Sequence, residues 1–137
     1  MSGGSFLDAN VLAYTDDDRA PGKQEAALAL VERVRREGTG VLSTQILQEY
    51  FVTATRKLGV PVETARRKVE IFARMDVVVN QVDDILAAID LHAAHQLSFW
   101  DALLVQAATR SDCSVLFTED LQHGQRFGKL EVVNPFL

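Results

Sequence analysis

Residues 98–120 have the sequence SFWDALLVQAATRSDCSVLFTED, in which a helical pattern is followed at once by a short strand pattern. Residues 102–105 and 107–108 are apolar on nearly every side of a helix, which is typical of a buried helix. The apolar run over residues 114–118 has the length and composition of a strand. A helix that leads directly into a strand is the repeating unit of a parallel sheet covered by helices.

The same alternation continues along the rest of the chain. Strands are predicted at residues 4–7, 40–43, 77–79, 114–118 and 130–133, and helices at 24–37, 44–58, 62–72, 82–93 and 98–108. We therefore predict an α/β fold, a three-layer α/β/α sandwich around a central, mostly parallel sheet of four to five strands. The length suits one compact domain, so we expect residues 1–137 to form a single domain.

Three segments carry more local expectations. Asp8-Ala9-Asn10 is predicted as a turn, because Asp and Asn side chains favour turns after a strand. The uninterrupted run Val77–Val79 predicts a strand covered on both faces. The helix predicted at 82–93 has an apolar stripe, by which we expect it to pack: Val82, Ile85, Leu86, Ile89 and Ala93.

Composition and charge limit the possible functions only weakly. The net charge is −5, whereas nucleic-acid-binding proteins usually have a basic surface. A protein that cuts a phosphodiester with bound metal ions need not be basic, because the ions contact the phosphate. The single cysteine, Cys113, excludes an intrachain disulfide and fits a reducing compartment, and no apolar run is long enough to cross a bilayer. We therefore expect a cytoplasmic protein.

Four carboxylates occupy positions where chemistry is expected. Asp8 follows the first predicted strand and Asp120 the fourth, and ligands of open α/β sheets bind beyond the carboxyl ends of the strands. Asp101 lies in the first turn of the buried helix, where a charge is costly unless it is paired or binds a metal. Glu49 borders the apolar face of the helix predicted at 44–58. Each residue alone also has an ordinary explanation: a turn or a helix cap for Asp8 and Asp120, a capping box with Ser98 for Asp101, and a solvated flank for Glu49.

Asp and Glu side chains without supporting Cys or His form the ligand set of hard cations such as Mg²⁺ and Mn²⁺. Such ions polarise a phosphoryl oxygen and lower the pKa of a bound water, which is the chemistry of phosphodiester hydrolysis. Carboxylates crowded around a metal site repel one another when the metal is absent. We therefore expect the pKa of at least one of them to be raised.

Four segments together resemble one known family. They are Leu7-Asp8-Ala9-Asn10-Val11-Leu12, Gln45-Ile46-Leu47-Gln48-Glu49-Tyr50-Phe51, Ser98-Phe99-Trp100-Asp101-Ala102-Leu103 and Phe117-Thr118-Glu119-Asp120-Leu121-Gln122-His123-Gly124. In this order they resemble the motifs of the PIN-domain family, and most closely those of the toxin ribonucleases of VapBC toxin–antitoxin pairs. The resemblance covers essentially the whole chain.

The resemblance implies a metal-dependent endoribonuclease, the toxin of a type II toxin–antitoxin pair, using Mg²⁺ or Mn²⁺. Asp8, Glu49, Asp101 and Asp120 match the catalytic, metal-binding acids of the family, and Asn10 and Thr118 match the polar positions that orient water or carboxylates. Glu119 is adjacent to Asp120 and could replace it as the fourth ligand, so the resemblance does not decide between the two. Ala9 departs from the many relatives that have a threonine there. The resemblance also implies an RNA substrate, a small antitoxin partner and a homodimer.

Other interpretations stay open at this point. A haloacid-dehalogenase-like phosphatase needs a second aspartate two residues after the first, where this chain has Asn10, and a receiver domain needs paired acids after the first strand. A PIN fold could also serve as a catalytically weak RNA-binding or protein-docking module. His92 and His95 are spaced like half of a zinc site but have no further His or Cys nearby, which favours exposed helix residues. The basic residues 66–68 are interpreted as a solvated face, with an RNA backbone contact as the alternative.

Overall fold

The structure is a computed structural model that describes residues 3–137, and these residues form a six-stranded sheet and six helices. The strands are β1 (Gly4–Leu7), β2 (Gly40–Ser43), β3 (Asp76–Val78), β4 (Cys113–Phe117), β5 (Arg126–Phe127) and β6 (Leu130–Val133). The helices are α1 (Ala9–Tyr14), α2 (Pro21–Glu37), α3 (Thr44–Arg56), α4 (Val62–Phe72), α5 (Val82–His95) and α6 (Phe99–Arg110).

The strand order is β3-β2-β1-β4-β6-β5, and only the β5–β6 pair is antiparallel. From the central strand β1 the chain moves outward through β2 and β3, and then crosses to β4 on the other side of β1. The direction of winding therefore reverses between β1 and β4, whose carboxyl ends are level, with Leu7 opposite Phe117. Such a switch point is where open α/β sheets leave a crevice for ligands.

Helices cover both faces of this sheet. Helices α1 to α4 pack on one another, whereas α5 and α6 pack together. Right-handed crossovers that run in opposite directions along a sheet place their helices on opposite faces, which gives the three-layer sandwich. The strands between the layers supply fully buried residues: Phe6, Leu7, Leu42, Leu116 and Val132. The predicted α/β class is confirmed, but the sheet has six strands because residues 126–127 add a two-residue antiparallel strand, too short to give a sequence pattern.

The segment after β1 is a helix, and the predicted turn at residues 8–10 is wrong. Asp8 is the N-cap of α1, and its Oδ1 accepts a hydrogen bond from the Ala9 N–H at 2.6 Å. Aspartate favours both turns and helix N-caps, so the residue type alone does not distinguish the two. The cap fixes the Asp8 carboxylate at the carboxyl end of β1.

The prediction that residues 77–79 are covered on both faces is also wrong. Strand β3 is the edge of the sheet and pairs only with β2, and Val79, just beyond it, is 54% exposed. An apolar run shows that a strand is hydrophobic but does not show whether it has one neighbour or two.

The apolar stripe of α5 faces solvent instead of the core. Its largest side chains are all exposed: Val82, Ile85, Leu86 and Ile89. The helix packs against α6 through its opposite side, where Ala88 is fully buried and Asp84 lies 2.9 Å from the Arg110 Nε. The ion pair with Arg110 compensates for the burial of Asp84 on this side, and the side that packs is the reverse of the predicted one. Within residues 3–137, no helix has the length and hydrophobicity needed to span a membrane.

Candidate active site

Asp8 is the most constrained carboxylate at the switch point. It continues β1, with its N–H donating to the Phe117 carbonyl at 3.0 Å. Its Oδ2 accepts a hydrogen bond from the Thr118 hydroxyl at 2.7 Å, and both side chains are buried. Together with the Ala9 N–H on Oδ1, this bond fixes the orientation of the carboxylate.

Asn10 joins Asp8 to the acid that follows β4. Its Nδ2 donates to Asp120 Oδ2 at 3.1 Å, and lies 3.3 Å from Thr118 Oγ1 and 3.4 Å from Asp8 Oδ2. The Asp120 N–H in turn donates to the Thr118 hydroxyl at 3.0 Å. The Asn10 Oδ1 is buried and accepts no hydrogen bond from the described residues. This oxygen therefore remains available beside the acids as a ligand for a cation.

Asp101 reaches the same edge because α6 precedes β4. A helix before a parallel strand runs antiparallel to it, so its first turn lies at the carboxyl edge of the sheet. The Asp101 N–H donates to the Ser98 Oγ at 3.1 Å. The full predicted capping box would also need the Ser98 N–H bonded to the Asp101 carboxylate, and the structure of residues 3–137 has no such bond. Ser98 therefore caps α6 through its hydroxyl, and a side-chain hydrogen bond from Ser98 lowers the pKa of Asp101 against the effect of burial.

Glu49 is held by a residue that the sequence did not single out. The Gln45 Nε2 donates to Glu49 Oε2 at 3.3 Å and to the Trp100 carbonyl at 3.3 Å, and Gln45 is only 6% exposed. Gln45 thus connects the acid of α3 to the residue just before Asp101. The i, i+4 spacing of Gln45 and Glu49 in the sequence indicates that the two side chains can meet on a helix. No sequence pattern indicates the contact of Gln45 with the Trp100 carbonyl of α6.

Burial and mutual repulsion raise the pKa values of three of these acids. Burial raises the pKa of Asp8 to about 7, and Asp120 and Glu49 add to the rise, against the opposing hydrogen bonds from Thr118 and Ala9. Burial, followed by the charges of Asp101 and Asp120, raises the pKa of Glu49. Burial, followed by Asp120, raises the pKa of Asp101. The expected rise is confirmed, although its main cause is burial and not repulsion.

Of the two adjacent acids after β4, Glu119 is already engaged. Its Oε2 lies 3.0 Å from the Lys23 Nζ, and its Oε1 accepts a hydrogen bond from the Tyr14 hydroxyl at 2.8 Å. Asp120, by contrast, is bonded to Asn10 beside Asp8. The geometry therefore favours Asp120 as the fourth acid. No sequence signal linked Lys23 to a residue 96 positions away.

The acids open into a cavity of about 580 Å³ between α1, α3 and the segment after β4. Asp8, Glu49 and Asp120 line it, whereas Asp101 is not among its lining residues. Across residues 3–137, no three acidic, His or Cys side chains are close enough to surround one ion as they stand. An all-oxygen donor set with the unpartnered Asn10 Oδ1 nevertheless fits Mg²⁺ or Mn²⁺, since magnesium is usually bound by one or two carboxylates and keeps several waters.

The remaining candidates lie outside this cluster. His123 Nδ1 accepts a hydrogen bond from the Asn134 N–H at 3.0 Å, and His95 packs edge-on against Phe127. The predicted exposure of His92 and His95 is confirmed. In the basic set, Arg66 pairs with Glu70, Lys68 pairs with Asp16, and none of residues 66–68 lines the cavity.

The fold and site define an α/β protein with clustered acids at the switch point of a parallel sheet. The model of the PIN domain matches residues 5–127, and the chain belongs to the PIN-domain family. No curated protein matches the chain in sequence.

Several solved structures share the fold. A toxin–antitoxin complex from Klebsiella pneumoniae matches with a TM-score of 0.71 and 16% identity, over 96% of this chain and 98% of that one. VapC20 of Mycobacterium tuberculosis, a toxin that cleaves the sarcin-ricin loop, matches with a TM-score of 0.64 and 17% identity, over 85% and 92%. VapBC2 of Rickettsia felis, bound to a DNA fragment from its promoter, matches with a TM-score of 0.65 and 18% identity, over 93% and 96%.

Proposed function

We propose that this chain is a divalent-metal-dependent endoribonuclease and the toxin component of a type II toxin–antitoxin pair. The observation that carries the proposal is a group of four acids at the switch point of a PIN domain: Asp8, Glu49, Asp101 and Asp120. They lie near enough to one another that the charges of neighbouring acids contribute to the raised pKa values of Asp8, Glu49 and Asp101. The similar folds support it, because one belongs to a toxin that cleaves the sarcin-ricin loop and two to toxin–antitoxin complexes.

In this proposal the four acids hold Mg²⁺ or Mn²⁺, and Asn10 and Thr118 orient them. A bound divalent cation neutralises phosphate charge and makes a water nucleophilic near neutral pH. The surrounding residues keep the acids in place before substrate binds: Thr118 and the Ala9 N–H hold Asp8, and Asn10 holds Asp120. Such preorganisation avoids reorienting the carboxylates during the reaction.

Glu49 is suited to hold a metal ion in this proposal, because among the described residues only its Oε2 is engaged, by the Gln45 amide, and its Oε1 is left for a cation.

The test compares RNA cleavage by the wild type and by isosteric variants in Mg²⁺ and in Mn²⁺. Asp8→Asn, Glu49→Gln and Asp101→Asn should each remove activity while the circular dichroism spectrum stays unchanged. Asp76→Asn is the matched control, because Asp76 is an exposed acid at the start of β3, at the opposite edge of the sheet. Full activity of Asp101→Asn, in protein free of other nucleases, would contradict the site assignment.

A second candidate is a PIN-fold module that binds RNA or protein without cutting. The observation that favours it is the absence, within residues 3–137, of three acids arranged around one point. RNA binding by wild type without cleavage in any divalent metal, under conditions where the fold is intact, would support this candidate.

The proposed partner is a small antitoxin, and the proposed assembly includes a homodimer. The planar guanidinium of an arginine pairs bidentately with carboxylates, so the acidic site would suit an arginine of the antitoxin. The exposed face of α5 is a surface that could support dimerisation, because exposed apolar patches commonly mark interfaces. Co-expression with the neighbouring small open reading frame tests the partner: co-purification and loss of RNA cleavage are expected, and neither occurring would contradict it.

A further inference from the structure

The cavity that holds the acids continues well beyond them, along α1 and α3. Past Glu49 its walls combine apolar and polar side chains, namely Ala13, Tyr14, Asp17, Val52, Thr53, Lys57 and Leu58. Asp8, Glu49 and Asp120 account for only part of its lining. A cavity lined by both apolar and polar side chains suits a single strand, because its bases and its phosphates need different surroundings.

Lys57 follows Glu49 by eight residues, about two helical turns, and both side chains line the cavity. The residues Glu49, Thr53 and Lys57 are spaced i, i+4, i+8, and all three line the cavity. The backbone of Lys57 is still helical, with φ −88° and ψ −40°, so the spacing of α3 extends to it. At about 1.5 Å of rise per residue, the backbones of Glu49 and Lys57 are separated by roughly 12 Å along the helix axis.

The other cations near the groove are already paired. Lys23 lies 3.0 Å from Glu119, Arg19 lies 3.0 Å from Asp17, and Lys68 lies 2.8 Å from Asp16. Lys57 is exposed and has no salt-bridge partner within the described part of the chain, although its charge lowers the pKa of Asp17, whose carboxylate is already paired with Arg19. It is therefore the cation lining this acidic cavity that is available to an anion from outside.

We infer that Lys57 forms a phosphate subsite for single-stranded RNA, on the strand that runs from the acids along α3. The inference rests on the proposed function, since the acids must face the phosphate that is cut. The strand would place that phosphate at Asp8 and Glu49 and a neighbouring phosphate at the Lys57 ammonium. Lys57 contacts the substrate in this scheme but takes no part in the bond cleavage.

The experiment compares Lys57→Ala with Arg56→Ala, each in the Asp101→Asn background and in Mn²⁺. Arg56 is the matched control, because it is the adjacent exposed cation on α3 but does not line the cavity. Binding of a short fluorescein-labelled single-stranded RNA of mixed sequence is followed by fluorescence anisotropy between about 50 and 200 mM salt. A gel of each sample shows that the probe stays intact.

We expect Lys57→Ala to weaken RNA binding about tenfold at low salt, as the loss of one charged hydrogen bond should. The slope of log K against log salt should fall by roughly 0.7, the value for one phosphate contact on a single strand. In the active background, KM should rise about as much while kcat stays near the wild-type value. Arg56→Ala should change none of these quantities. In the background that keeps all four acids, neither variant should change the Mn²⁺ affinity.

Equal effects of Lys57→Ala and Arg56→Ala on the salt slope would overturn the subsite while leaving the proposed nuclease intact. A fall in kcat with unchanged KM would also overturn it, because Lys57 would then act on the reaction and not on substrate binding. If Lys57→Ala weakened only the binding of a co-expressed partner protein, the groove would be a protein site. Absence of any RNA binding or cleavage by the wild type would reject the proposed function itself.

Discussion

Replacing Asp8 with asparagine should stabilise the metal-free protein at neutral and alkaline pH. The pKa of Asp8 rises from 3.8 to about 7, mainly because the carboxylate is buried. At 1.36 kcal/mol per pKa unit, this rise corresponds to about 4 kcal/mol of destabilisation once Asp8 is fully ionised. Asparagine is neutral and nearly isosteric. Its oxygen can still accept from the Ala9 N–H, and its amide can donate to Thr118.

The sign of the pH dependence follows from proton binding. Between about pH 4 and pH 7 the folded wild type holds a proton on Asp8 that the unfolded chain has lost. The stability that this proton provides is complete below about pH 4 and is lost as the pH rises through about 7. Asp8→Asn does not lose stability in this way, because asparagine has no proton to release over this pH range. The two proteins should therefore be similar near pH 4 and diverge as the pH rises.

The assay is urea or thermal unfolding of both proteins in chelator, over a range from about pH 4 to pH 8.5. We expect Asp8→Asn to be more stable by about 4 kcal/mol at pH 8, or roughly 14 °C in Tm for a chain of this length. Mn²⁺ at a hundredfold excess over Kd should narrow this difference, because it adds about 2.7 kcal/mol to the wild type and less to the variant. Asp76→Asn should behave as wild type throughout. A constant difference between Asp8→Asn and wild type at all pH values, or a less stable variant at pH 8, would refute the reasoning.

Three further predictions concern other parts of the molecule. In chelator, the free energy of unfolding of Asp101→Asn should equal that of wild type or exceed it by up to about 1 kcal/mol, and the variant should lose most of the Mn²⁺-induced rise in Tm. A variant that melts well below wild type, with no metal effect on either protein, would make Asp101 a structural residue. Gln45→Met keeps the side-chain volume but removes the bridge between Glu49 and Trp100, so the Mn²⁺ affinity measured by calorimetry should fall about tenfold with little change in the apo Tm. An unchanged affinity would show that the bridge does not position Glu49. Leu86→Glu places a charge on the exposed face of α5 and should convert the expected homodimer to a monomer in light scattering, whereas a dimer in both proteins would exclude this face as the interface.

The sequence predicted the class of fold because it depends on local patterns, whereas the set of four acids came from the resemblance of four segments to the PIN-domain motifs. Alternating apolar strands and helices predicted the parallel sheet, and the rule for its carboxyl edge directed attention to Asp8 and Asp120. The apolar surroundings of Asp101 predicted a desolvated carboxylate, and the structure has a half-buried one whose pKa is raised by burial. These inferences needed no knowledge of which elements are neighbours.

Features that depend on distant partners could not be predicted in this way. The bond from Gln45 to the Trp100 carbonyl spans 55 positions, and the pairing of Glu119 with Lys23 spans 96. The orientation of α5 depends on the ion pair between Asp84 and Arg110, which opposed the simple rule that the apolar stripe packs inward. Aspartate's equal preference for turns and N-caps hid the helix that begins at Ala9.

The central claim is that acids at the switch point support metal-dependent cleavage of RNA. The most direct measurement is a time course of RNA cleavage by the purified wild type in Mn²⁺, then in excess chelator, and then with Mn²⁺ restored, alongside Asp101→Asn. We predict cleavage that stops in chelator, returns with the metal and is absent in the variant. Cleavage that continues in chelator, or that Asp101→Asn performs as fast as the wild type, would contradict the claim.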